Sequence, residues 1–93
     1  MIVGLLTVEL RLPECQSLKE KRMLIKSLKD KIRNTFNISV AEVDGLEKWQ
    51  VATLGMAYVG TDKVHVDQAL SKIVDFIDRS RQVDMIDYNT EIL

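Results

Sequence analysis

The chain has 93 residues, 46% of them apolar and 29% charged, with a formal net charge of −1. That length makes a single domain with a modest core, which oligomerisation would help to cover, and that charge selects no class of partner globally. One cysteine, Cys15, rules out a disulfide framework within the chain, and the apolar start lacks the basic segment and small-residue cleavage site of a leader and is too short to span a bilayer, so a reducing cytoplasm without membrane attachment is expected.

Residues 2–12, IVGLLTVELRL, alternate with period two. Ile2, Leu6, Val8, Leu10 and Leu12 share one face with Gly4, while Val3, Leu5, Thr7, Glu9 and Arg11 share the other, which is a strand ended by Pro13. Ser17 then caps a helix, and Glu20 three residues on completes a capping box. Leu24, Ile25, Leu28, Ile32 and Phe36 recur at helical spacing and carry that helix to about residue 36. ISVAEV at 38–43 is a short strand, DGLEK at 44–48 a turn with Gly45 available for positive φ, and WQVATLGMAYVG at 49–60 a longer strand, apolar on both faces. Asp62 caps a second helix with a stripe of Val66, Ala69, Leu70, Ile73 and Ile77, and a last strand covers about 83–92. The order β-α-β-β-α-β predicts an α+β ferredoxin-like domain, a four-stranded antiparallel sheet with both helices on one face and the other face open.

Charge is concentrated in the first helix. Residues 17–36 hold seven basic and two acidic residues, and the rest of the chain six basic and twelve acidic. At 100° per residue, Lys19, Arg22, Lys26, Lys29 and Arg33 form one stripe beside the apolar face, spaced three and four apart so that like charges are neighbours. Two readings stand: a solvated basic face, or a surface for anions, RNA phosphates among them, reinforcing a helix N-terminus that already favours anions. Lys21 falls instead in the apolar sector. The favoured reading is a lysine snorkelling past the core; the alternative is a pair with Glu42, which stands alone among apolar neighbours at the end of the sheet where the helix begins.

SLKEKR at 17–22, with LIKSLKDKIRNTFNISVAEV and KWQVATLGMAYVG after it, resembles the YlxP-like family of small bacterial proteins of unknown function, over essentially the whole chain. The resemblance implies a ferredoxin-like fold and, through the translation and ribosome-assembly genes that often neighbour the family's, a role near RNA or the ribosome. Its pattern falls on Ser17, Leu18, Lys19, Lys21, Arg22, Glu42 and Trp49.

No cofactor, metal or catalytic constellation is expected. Cys15 lies near a helix N-terminus that could lower its pKa, yet the only histidine, His65, belongs at the opposite end, and the Cys and His count is too small for zinc. No aromatic stands in the first strand, and Trp49 and Tyr58 differ in parity, which argues against the base-stacking sheet face of RNA readers with this fold. The leading expectation is a non-enzymatic RNA- or ribosome-associated factor using the basic helix as a phosphate binder. The alternative is a homodimeric regulatory or small-ligand module paired through the open sheet face, where Val3 and Leu5 face water in a monomer.

Overall fold

The computed structural model describes residues 1–93 and has the expected architecture. In chain order the elements are β1 (Ile2–Arg11), α1 (Leu18–Thr35), β2 (Ser39–Asp44), β3 (Val51–Gly60), α2 (Lys63–Asp78) and β4 (Asp84–Ile92). The sheet order is β2-β3-β1-β4, with every neighbouring pair antiparallel. α1 packs over β2 at one side of the sheet, and α2 over β1, β3 and β4.

Alternation sets the layers. Leu6, Val8 and Leu10 of β1 and Leu54 of β3 are fully buried beneath the helices, with Ala52 and Met56 beside them, whereas Thr7, Glu9 and Arg11 are exposed on the other face. Ile25, Leu28 and Ile32 of α1 and Val66, Leu70, Ile73 and Ile77 of α2 close the same core. Two glycines let α2 descend onto the strand ends. A Cβ on Gly4 would meet Val66 Cγ1 at 2.5 Å, and one on Gly60 would meet Val66 Cγ2 at 2.6 Å, so any side chain at either position would push the start of α2 off the sheet.

The strand ends depart from expectation at one hairpin. β3 begins at Val51, so Trp49, expected inside that strand, lies in the bend before it with 44% of its surface exposed. Gly45 adopts φ +74°, and Lys48 N–H donates to its carbonyl at 3.0 Å, which spends the following residues on a turn. Ladder contact resumes at Gln50, whose carbonyl accepts from Leu12 N–H at 2.8 Å. β2 and β4 each carry a register shift against their central neighbour, near Val43 and Ile86 respectively, and both of those side chains are about half exposed. No helix is long and apolar enough to cross a membrane.

Candidate functional site

α1 starts where its capping signal lies. Ser17 is extended and its Oγ accepts from Glu20 N–H at 3.1 Å. Glu20 Oε2 reaches back to Gln16 N–H at 2.7 Å, one residue earlier than the usual reciprocal partner. The N-terminus of α1 therefore already carries a carboxylate of its own. The cations of SLKEKR part company here: Lys19 and Arg22 are exposed, and Lys21 is buried. Leu18, in the first turn, is half-buried.

Lys21 corrects the favoured sequence reading. It does not snorkel: it is 1% exposed, among the largest fully buried side chains of the core. Its Nζ lies 2.6 Å from Glu42 Oε2 and donates to the Gly45 carbonyl. The contact with Oε2 is a charge contact rather than an aligned hydrogen bond, and that oxygen has no other partner. An unpaired ammonium at this depth would be strongly unfavourable, so Glu42 and the hairpin carbonyl are what allow a lysine here. The result ties the first turn of α1 to the end of β2 and to the turn after it. Sequence reasoning supplied Glu42 as the alternative partner but missed Gly45, because a backbone acceptor leaves no trace in residue type.

The five stripe residues share one flank of α1, but they are not equivalent. Lys19, Arg22 and Lys29 have no acidic partner within ion-pair distance. Lys26 contacts Asp30 at 3.0 Å with both side chains well exposed, a geometry of little energetic weight. Arg33 is committed elsewhere: its guanidinium donates to the Val40 carbonyl at 2.8 Å and sits 3.7 Å from Asp30. It thereby covers one open acceptor of the edge strand β2, a position that invites unwanted strand pairing when left bare. Within the stripe, Lys19, Arg22 and the half-buried Lys29 are thus unpaired, and Lys26 is held only by its exposed contact with Asp30. Acidic side chains collect at the far side, where Asp67, Asp75, Asp78 and Asp87 line the grooves between α2 and β4.

Cys15 is 5% exposed, and its thiol is pushed up by burial first, then by the charges of Glu20 and Glu14, with Lys21 acting in the opposite sense. This is the opposite of the lowering that a helix N-terminus alone would give. His65 lies at the other end of α1, beside Tyr58. No three His, Cys, Asp or Glu side chains converge as metal ligands would.

The chain is 29% identical over 90 residues to the uncharacterised protein YlxP of Bacillus subtilis (strain 168), an alignment covering 97% of this chain and 98% of that one. Residues 3–90 match the family model described as a protein of unknown function, DUF503. That match takes in the capped start of α1, the buried Lys21–Glu42 pair and both helices, and the chain belongs to the DUF503 family.

Proposed function

We propose that the protein is a non-enzymatic, cytoplasmic RNA-binding accessory factor acting at or near the ribosome, with the flank of α1 lying along a sugar–phosphate backbone. The observation that carries this reading is a row of four cations on one flank of α1, Lys19, Arg22 and Lys26 exposed and Lys29 half-buried, of which only Lys26 has an acidic neighbour. Their spacing follows the helix for about three turns, a length that suits successive phosphates. The acidic groove side at α2 and β4 supports the same orientation, since it repels the nucleic acid from the opposite edge. Such binding is electrostatic and sequence-tolerant, and salt weakens it steeply. The test is co-sedimentation of the protein with ribosomal subunits, and gel retardation of a structured RNA, at low and moderate salt. Loss of binding in Lys26→Glu/Lys29→Glu with the fold intact supports the reading; equal binding by that variant at low salt ends it.

A second reading is a homodimer through the open sheet face. It is favoured by the apolar row that Val3 and Leu5 of β1 form with Ala57 and Val59 of β3, Val59 being 56% exposed.

A further inference from the structure

We propose that the cleft between the C-terminal end of α1 and the adjoining flank of α2 is a binding site for a nucleoside monophosphate, separate from the basic flank. The cleft has a volume of about 270 Å³ and is lined by Phe36, Asn37, Tyr58, His65, Gln68 and Lys72, with Ala69 and Thr35 completing it. That volume lies just below the range for drug-sized ligands, which fits a small molecule rather than a polymer.

Its chemistry is specific in three respects. No Asp or Glu is among its lining residues, although the chain as a whole holds more acids than bases. Lys72 and His65 are the basic groups facing it, so an anionic ligand is favoured and a cationic one is not. Three rings, those of Phe36, Tyr58 and His65, offer faces or edges to a planar group, and the amides of Asn37 and Gln68 supply paired donors and acceptors of the kind that read a base edge. A phosphate on Lys72 with a base among the rings satisfies all of these at once.

The cleft is also held in shape. The Tyr58 hydroxyl and His65 Nε2 are 3.2 Å apart, linking the end of β3 to the first turn of α2. Their rings are 6.1 Å apart at 55°. Phe36 packs edge-on against Phe76 at 5.5 Å, which fixes its ring from behind. Gly4 pairs with Tyr58 across the ladder, and together with Gly60 it seats Val66, the residue after His65. Along α2, His65, Gln68, Ala69 and Lys72 recur at helical spacing, so one helical face presents them all to the cleft. The site lies on the α2 side of α1, whereas Arg33 of the basic flank reaches toward β2, so the two surfaces do not share residues.

The experiment is amide-resolved NMR titration of the full chain with AMP, GMP, adenosine and inorganic phosphate. Saturable shifts at Tyr58, His65, Gln68 and Lys72 with a nucleoside monophosphate, and weaker ones with adenosine or phosphate alone, support the site. Lys72→Ala, an exposed position that should leave the fold intact, then weakens binding by about tenfold or more, the loss expected for one charged hydrogen bond. Tyr58→Phe keeps the ring and loses the tie to His65, and weakens binding less. Lys26→Glu/Lys29→Glu leaves the titration unchanged, which separates this site from RNA binding at α1. Absence of shifts at millimolar ligand overturns the proposal. So do shifts confined to the basic flank, affinity equal for phosphate and nucleotide, or affinity unaffected by Lys72→Ala.

Discussion

The most consequential single contact is the buried ammonium of Lys21 against Glu42. Such a pair is weak evidence for stability relative to an apolar pair, but removing one partner leaves a charge without compensation. Lys21→Met and Glu42→Gln should each destabilise by about 3 kcal/mol, while the double change costs clearly less than their sum. Denaturant unfolding of the four proteins in a cycle checks this, and simple additivity would show that the two side chains act independently. Ser17→Ala is a smaller test at the same end of the helix. It removes the acceptor of Glu20 N–H and should cost about 1 kcal/mol, read as a lowered unfolding midpoint. Cys15, a buried free thiol, lies just before the same helix start. Burial and the neighbouring acids raise its thiol, so the reactive thiolate is depleted at neutral pH. Iodoacetamide should alkylate it much more slowly than free cysteine, and a rate equal to the free amino acid would mean that the thiol is open to solvent.

Within α1, two faces differ sharply in chemistry. Its inner face is apolar apart from Lys21, and its outer flank is cationic. Like charges three and four apart cost a few tenths of a kcal/mol per pair. Lys26→Glu/Lys29→Glu should therefore leave stability almost unchanged or slightly raised, even as it abolishes any phosphate binding, and thermal unfolding alongside gel retardation reads both at once. The helix boundaries were legible because capping is local chemistry: Ser17 and Asp62 are the N-caps of the two helices. The start of β3 was not, since WQV has the composition of a strand and only the turn closed at Gly45 shows where the ladder begins. The division of labour in the stripe was equally hidden. Arg33 matches Lys29 in type and spacing, yet its partner is a carbonyl on β2, and the sequence does not say which backbone groups an edge leaves open. The Tyr58–His65 tie joins residues whose meeting depends on how far two glycines let α2 approach, a tertiary distance that periodicity does not encode.

For the molecule as a whole, the fold is polar in the electrical sense and two-sided in the hydrophobic sense. The basic helix lies over one margin of the sheet, the acidic grooves over the other, and the face away from both helices meets solvent. That face is divided. Toward the end holding Val3, Leu5, Ala57 and Val59 it is apolar, and toward Glu9 and Arg11 it is polar, with Asp87 opposite Glu9. Only part of the sheet is thus available as an apolar contact, on the order of a few hundred Å² per chain, the size that soluble monomers tolerate. A two-fold pair over it would fall in the small-interface class and dissociate in the micromolar range or weaker. Salt then discriminates between the two surfaces. A dimer over this face would bury apolar groups beside a margin bearing Glu9, Asp87 and Glu91, so screening their repulsion should strengthen it, whereas the phosphate binding proposed for α1 should weaken with salt. We expect light scattering at about 100 µM protein to show a mass above that of the monomer, rising with salt. Leu5→Glu, placed in the middle of the apolar end, should return it to the monomer mass without changing any RNA binding measured for α1. A wild-type chain that stays monomeric across that range would leave the open face unpaired and the basic flank of α1 as the surface to pursue.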